Sequence, residues 1–176
     1  MFCILCTAPT TTVPSTTGKV CDENLDTYAP VTVSRTAGDG SAIGPDDFWL
    51  PDSNPFDPSD PYSAPKLTLT FDPQSEIRSV TVYDSDGSSD AVVIAIKSKS
   101  TQNSPLEDLL NDSGGNTFES PPGSAIVLPN APQYAEQLDV HIVNPSSNRK
   151  YQVRANGCEH AGKYSNSNNG PGHVPG

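Results

Sequence analysis

The sequence predicts an all-β fold, an antiparallel β-sandwich of about eight strands with one short helix. Apolar and polar residues alternate in several short runs, which is typical of strands that bury one face. Proline and glycine, 18 and 13 of the 176 residues, occur too often for long helices over most of the chain. Hydrophobic residues make up 34 % of the sequence. Because they are concentrated in the alternating runs, a core of modest size is expected.

The chain is predicted to be organised around a β-hairpin over residues 77–97. Val80 and Val82 share one face of its first strand, and Ile94 and Ile96 share one face of its second strand. The loop between them is rich in Asp, Ser and Gly, the residues of tight turns. The same alternation predicts further strands at residues 31–33, 67–71, 138–142 and 151–155, with shorter candidates at 48–50 and 125–128.

One short helix is predicted to begin after Ser104. Ser104 is a suitable cap, Pro105 fits the first helical position, and Glu107 completes a capping box. The apolar side of this helix is formed by Leu106, Leu109 and Leu110, and Gly114 and Gly115 end it.

Composition divides the chain into three segments. Residues 1–19 are interpreted as a leader remnant followed by a Thr/Pro/Ser-rich, mucin-like linker, residues 20–160 as the β-sandwich domain, and residues 161–176 as a flexible tail. Thr and Ser mixed with Pro is the composition of O-glycosylated stalks. A secreted or cell-surface location is therefore expected.

Two of the four cysteines, Cys21 and Cys158, stand at the limits of the predicted domain. Because the chain ends of a sandwich often lie close together, a disulfide between them is expected; the alternative is two unpaired buried thiols. Closing this loop of about 137 residues stabilises the fold by roughly 5 kcal/mol in the chain-entropy model. Cys3 and Cys6 have C-x-x-C spacing, but no second such pair and no spaced histidine pair completes a zinc set, so their role stays open.

The formal charge of −11, from 21 acidic and 10 basic residues, argues against nucleic acid and anionic membrane surfaces as partners. An extracellular protein or a glycan is expected instead, and self-association also fits. No stretch approaches the ~20 apolar residues of a membrane-spanning helix, so no membrane insertion is expected.

The loop of the predicted hairpin is a candidate calcium site. Asp84, Asp86, Ser88 and Asp90 place side-chain oxygens at alternate positions, and Gly87 permits a sharp turn. Oxygen atoms in such numbers are what Ca²⁺ prefers. The alternative is an ordinary Asp/Gly/Ser turn. A second acidic cluster precedes the strand at residue 67 and comprises Asp46, Asp47, Asp52, Asp57 and Asp60.

Aromatic residues in the same long loop are candidate ligand contacts. Trp49 and Tyr62, beside carboxylates, resemble the stacking residues of lectin-like surfaces. The alternative for Trp49 and Phe56 is that they close the end of the sandwich core. Asn111, in the sequon Asn111-Asp112-Ser113, is a candidate glycosylation site.

Catalysis is not expected. The three histidines lie in no H-E-x-x-H motif, and the chain has no G-x-S-x-G nucleophile elbow. Carboxylates are abundant, which a solvated acidic surface explains, although a glycosidase-type pair of carboxylates is the alternative.

Residues 65–72, with the sequence PKLTLTFD, followed after a short turn by IRSVTV at residues 77–82, resemble the core strands of discoidin-type, galactose-binding-like modules. The upstream Trp49 and the cysteines near both ends of the domain are also similar to that family. The resemblance covers about a third of the domain. It implies a jelly-roll topology and a binding module of a larger extracellular protein.

Together these observations predict a non-catalytic extracellular structural or adhesion module with a jelly-roll-like fold, with calcium as its expected stabilising ion. The alternative is a carbohydrate-binding, lectin-like module. A small hydrolase that uses paired carboxylates ranks last.

Overall fold

The computed structural model describes residues 33–52, 55–131 and 133–159. Within these ranges the chain is all-β and antiparallel, as predicted, with one turn of 3-10 helix at Pro61–Ser63 and no α-helix. The strands are β1 (Ser34–Ala37), β2 (Ala42–Ile43), β3 (Lys66–Asp84), β4 (Val92–Lys99), β5 (Glu107–Asp108), β6 (Phe118–Ser120), β7 (Ala125–Val127), β8 (Gln133–Ile142) and β9 (Tyr151–Glu159).

Strand β3, 19 residues long, is the spine of the sheet. Its first half pairs with β1 on one side and with β8 on the other, and β8 in turn pairs with β4. Its second half pairs with β9 and with β7. The strand order along the main path is β2-β1-β3-β8-β4-β5, and β6 is added beside β4. A single long strand therefore belongs to both halves of the sheet.

The register of β3 shifts twice, once between Thr70 and Ser75 against β8 and once between Ile77 and Ser79 against β9. Such bulges bend a strand and increase its twist. Side chains from both halves of the sheet join one hydrophobic cluster, which includes Leu69 and Val80 of β3 and Tyr151 of β9. The bent sheet thus encloses its core between two halves in a sandwich-like manner. The strand order does not establish the jelly-roll topology, which stays a prediction.

The predicted β-hairpin at residues 77–97 is wrong. Strands β3 and β4 follow each other in the sequence, but β8 lies between them in the sheet. Residues 85–91 therefore form a crossover and not a hairpin turn. The alternation of Val80 and Ile94 correctly indicated two strands with one buried face each, but alternation carries no information about which strand is the neighbour.

The predicted turn between residues 72 and 77 is also absent, because β3 continues through this segment as a bulged strand. Asp72-Pro73 interrupts the alternating pattern, and proline cannot donate a hydrogen bond to a β-ladder. A bulge accommodates it without ending the strand. The parity of the buried apolar residues does not change across this bulge, since Leu69 and Ile77 are both odd-numbered; it changes at Val80 and Val82, after the second register shift between Ile77 and Ser79.

The predicted helix after Ser104 is wrong as well. The segment contains the two-residue strand β5, whose Asp108 pairs with Lys97 of β4, and Leu109 N–H donates to the Ile96 carbonyl at 2.9 Å. Leu109 is buried, whereas Leu106 and Leu110 are exposed. The space between Pro105 and Gly114 allows about two helical turns, too short a helix to be stable by propensity alone. Pairing with the edge of β4 instead supplies hydrogen bonds to a neighbouring strand, which a short isolated helix does not have.

The remaining predicted strands fall close to observed ones. Residues 67–71, 125–128, 138–142 and 151–155 overlap β3, β7, β8 and β9. The segment 48–50 contributes only a bridge between Trp49 and Tyr151, and of residues 31–33 only Val33, just before β1, is described. In the described ranges no helix is long and apolar enough to cross a membrane.

Candidate functional site

The first bulge of β3 opens a cavity of about 500 Å³. Between the pairs Thr70 with Gln137 and Ser75 with Ala135, four residues of β3 face a single residue of β8. Gln74, within the bulge, reaches the Ser100 carbonyl in the turn that follows β4. The resulting space, here called the bulge cavity, is lined mainly by the polar side chains of Asp72, Gln74, Lys99, Gln102, Glu136 and Gln137.

Two glutamines of the bulge cavity are held in fixed orientations. Gln74 Nε2 donates to the Ser100 carbonyl at 2.5 Å, which ties the bulge to the turn after β4. Gln137 Nε2 donates to Asp139 Oδ1 at 2.8 Å. Each amide thus uses its nitrogen, and neither Oε1 atom has a hydrogen-bond partner in the part of the chain that is described. These two oxygens are acceptors on preorganised side chains.

The other polar groups of the bulge cavity are not engaged. Thr70, Asp72 and Gln102 are exposed, and Lys99 and Glu136 are half-buried. None of these five side chains makes a hydrogen bond or ion pair with another described residue. Phe71, which is buried, adds an apolar part to the lining. The cavity therefore combines hydroxyl, amide, carboxylate and ammonium groups with one aromatic ring.

A ladder of engaged polar groups borders the bulge cavity on the outer face of the sheet. Asp139 of β8 is buried and accepts hydrogen bonds from Lys66 Nζ at 2.5 Å, from Thr68 Oγ1 at 2.9 Å and from Gln137. Burial alone raises the pKa of Asp139, but these hydrogen bonds and the charge of Lys66 outweigh it and hold the pKa below its ordinary value. The carboxylate is thus fixed in its ionised form, and it holds Gln137 in place.

At the far end of this ladder, His141 lies under the ring of Tyr62. The two rings meet edge to face with centroids 5.6 Å apart, and Lys97 Nζ lies 4.2 Å from the centre of the Tyr62 ring. His141 Nδ1 is 2.9 Å from the Ala64 carbonyl, so Nδ1 carries the proton, because a carbonyl only accepts. Burial, the largest effect, lowers the pKa of His141. The imidazole is therefore neutral at physiological pH.

Two polar atoms beneath this contact are buried without a hydrogen-bond partner among the described residues, namely His141 Nε2 and the Tyr62 hydroxyl. Burial, followed by the charges of Asp108 and Asp60, raises the pKa of Tyr62 to about 12. Tyr62 was predicted to be a ligand contact, but its hydroxyl faces the protein interior. Tyr62 lies in the 3-10 helix, which Asp60 caps, and there it packs the preceding loop onto β8.

The residues predicted to bind calcium surround an arginine. Arg149 Nε donates to Asp84 Oδ2 at 2.7 Å, its Nη2 contacts the same oxygen, and Nη2 also donates to the Asp90 carbonyl at 2.9 Å. The side chains of Asp84 and Arg149 are 1 % and 8 % exposed, so this ion pair is shielded from water. The other carboxylate oxygen of Asp84 accepts from the Gly87 N–H at 2.9 Å. Both oxygens of Asp84 are thus engaged within the protein.

The remaining members of the predicted calcium set stay near the surface. Asp86 accepts a hydrogen bond from the Ser85 hydroxyl, and Ser88 accepts one from the Asp90 N–H. Across the described ranges no group of three or more His, Cys, Asp or Glu residues is placed to hold a metal ion. The acidic loop, residues 84–90, has in Arg149 a cation of its own.

The other predicted site residues have structural contacts. Trp49 is buried, and its backbone exchanges two hydrogen bonds of 2.8 Å with Tyr151, so it belongs to the core, the alternative that the sequence left open. Asn111 Oδ1 accepts from the N–H groups of Ser113 and Gly115, and its Nδ2 donates to the Thr117 carbonyl at 2.8 Å. The amide nitrogen that a glycan would modify is therefore part of a turn, and glycosylation stays a prediction.

Cys158 of β9 is half-buried and is disulfide-bonded. The other three cysteines, Cys3, Cys6 and Cys21, lie outside the described residues. The pairing of Cys158 with Cys21 therefore stays a prediction, as do the boundaries of the linker and the tail.

The sequence analysis missed the bulge cavity entirely. One signal pointed to this bulge, the proline inside an alternating run. It does not indicate that Lys99 and Gln102, at and after the end of β4, come to lie beside Asp72. The sequence matches no protein-family model and no curated protein.

Proposed function

We propose that this chain is a non-catalytic extracellular module that acts in structural support or adhesion, and that it binds its partner at the bulge cavity. The observation that supports this function is a cavity of about 500 Å³ in which five polar side chains make no contact with other polar groups of the described chain. Thr70, Asp72 and Gln102 are exposed, and Lys99 and Glu136 are half-buried, so their polar atoms are available to an external partner.

The framework around the cavity supports an adhesive role because it is braced by side chains that cross between strands. Lys66 and Asp139 join β3 to β8. Gln74 donates to the Ser100 carbonyl at 2.5 Å, which fixes the bulge to the turn after β4. A rigid site loses little conformational entropy when it binds a partner.

The extracellular location rests on the mucin-like composition of residues 7–18, and the resemblance to discoidin-type modules points to the same setting. We also propose that calcium stabilises the module, but with fewer ligands than the sequence suggested. Because Asp84 is bound to Arg149, a cation at the acidic loop would rely on Asp86, Ser88 and Asp90.

The test uses the full chain, fluorescently labelled, on cell monolayers and on matrix-coated surfaces. We expect saturable binding that falls at least tenfold in a Lys99→Ala, Gln102→Ala double variant. Lys150→Ala is the matched control, since Lys150 is exposed and lies beside the opposite end of β3. Absence of saturable binding, or equal binding by all three proteins, would contradict the adhesive function. The partner is then released and its mass is measured by mass spectrometry. An unchanged mass is expected, because the module is proposed to be non-catalytic.

A further inference from the structure

We infer that the bulge cavity is a binding site for a neutral saccharide. This inference rests on the proposed function, because it names the class of partner that the same cavity takes. Three features carry it: the mixture of donors and acceptors in the lining, the size of the space, and the sign of the local charge.

The hydrogen-bonding groups of the bulge cavity match vicinal hydroxyls. A sugar hydroxyl both donates and accepts, and so needs acceptors and donors side by side. The Oε1 atoms of Gln74 and Gln137 are fixed acceptors, since both amide nitrogens are already bound. Gln102 and Lys99 supply donors, and the Thr70 hydroxyl supplies either. The lining therefore offers donors and acceptors side by side, as a sugar hydroxyl requires.

The bulge itself explains why these groups converge. In regular pairing, Asp72 and Gln74 would bond across to β8 and their neighbours would close the gap. Because four residues of β3 face one residue of β8, the strand leaves room beside Glu136 instead. Bulges often occur next to binding sites, where they redirect side chains. Gln74, anchored on the Ser100 carbonyl, holds the two walls of the space at a fixed distance.

Size and charge narrow the ligand class. About 500 Å³ falls within the ~300–1,000 Å³ range of small-molecule sites. The lining contains two carboxylates, Asp72 and Glu136, against one ammonium, Lys99, and the whole chain has a formal charge of −11. Anionic ligands, including sialylated and sulfated glycans, are therefore repelled. Phe71 also lines the space but is only 2 % exposed, so the polar side chains and not a stacking ring would hold the ligand.

The experiment applies the labelled full chain to a printed array of neutral oligosaccharides that end in glucose, galactose, mannose or N-acetylglucosamine, beside sialylated and sulfated oligosaccharides. We expect binding to at least one neutral class, and a signal at least tenfold lower for acidic derivatives of the same core. Gln102→Ala and Lys99→Ala, tested separately, are each expected to weaken binding at least tenfold, whereas Lys150→Ala leaves it unchanged. Thermal melts of all variants establish that each one is folded.

The outcomes separate this inference from the function on which it rests. The saccharide site is overturned if the chain binds only acidic glycans, if it binds no glycan, or if Gln102→Ala and Lys99→Ala bind as strongly as the parent chain. If the chain nevertheless adheres to cells in a cavity-dependent manner, and millimolar neutral monosaccharides do not compete, the adhesive function stands and its partner is a protein. If cell adhesion is also absent, both proposals fail.

Discussion

The acidic loop follows the end of β3 and the bulge cavity lies within β3, and both contain carboxylates, but their polar groups are used differently. In the acidic loop, the carboxylate of Asp84 is occupied by Arg149 and by the Gly87 N–H. In the bulge cavity, Asp72 and Glu136 have no polar partner in the described part of the chain. Acidic composition alone therefore does not mark a binding site. What matters is whether the fold already supplies the opposite charge.

The largest effect is expected from Arg149→Met, which would break the ion pair of the acidic loop. The variant leaves the carboxylate of Asp84 buried and uncompensated, so the free energy of unfolding should fall by about 3 kcal/mol. Lys150→Met, one residue away and exposed, is the control and should change stability by less than about 0.5 kcal/mol. Urea unfolding measures both. If Arg149→Met is as stable as the parent chain, the acidic loop does not depend on the positive charge of Arg149.

Asp139 sharpens the comparison, because it is an engaged carboxylate directly beside the bulge cavity. Asp139→Asn should destabilise the fold by about 2 kcal/mol at pH 7, since it weakens the hydrogen bonds from Lys66 and Thr68. The pKa of Asp139 is lowered in the folded state. Its contribution is therefore fully present above the unfolded-state pKa of about 3.9 and is lost as the pH falls through the lower folded-state pKa.

Unfolding experiments from pH 7 to pH 2 test this pH dependence. The difference in stability between the parent and Asp139→Asn should shrink at the acidic end. A difference that is constant with pH would show that the ionisation of Asp139 does not contribute.

Calcium provides a third test, on the acidic loop. If Asp86, Ser88 and Asp90 bind Ca²⁺ with the affinity of extracellular sites, 5 mM Ca²⁺ should stabilise the full chain by about 1–2 kcal/mol relative to chelator. Asp86→Asn should abolish the increase without changing the melt in chelator. If the thermal melts with and without calcium coincide, the acidic loop does not bind calcium and is an ordinary turn whose carboxylate is neutralised by Arg149.

The smallest effect on stability is expected in the bulge cavity. Lys99→Ala and Gln102→Ala should each change the free energy of unfolding by less than about 0.5 kcal/mol, because these side chains make no described polar contact. The same substitutions are expected to reduce ligand binding strongly. A loss of stability of more than about 1 kcal/mol, roughly twice the ordinary effect of a surface substitution, would indicate that these side chains are structural and would weaken the contrast with the acidic loop.

Local sequence patterns identify which residues form strands and which of their faces are buried. Leu67, Leu69, Val140 and Val153 are all in the core, as their alternation indicates, because a side-chain period of two requires one buried face. The exclusion of long helices followed from proline and glycine in the same local way. Alternation also failed locally, since the apolar residues around Leu109 fitted a short helix as well as an edge strand.

Which strands are neighbours and which distant side chains meet depends on the folding of the whole chain. The insertion of β8 between β3 and β4 turned the expected hairpin into a crossover. It also brought Gln137 beside Thr70, and the chain that follows it carries Arg149 to Asp84 across 65 positions of sequence. These contacts depend on the pairing of whole strands, which is stabilised by the sum of many backbone hydrogen bonds and buried side chains. No local pattern encodes that sum, so the acidic loop looked like a metal site and the bulge cavity could not be foreseen.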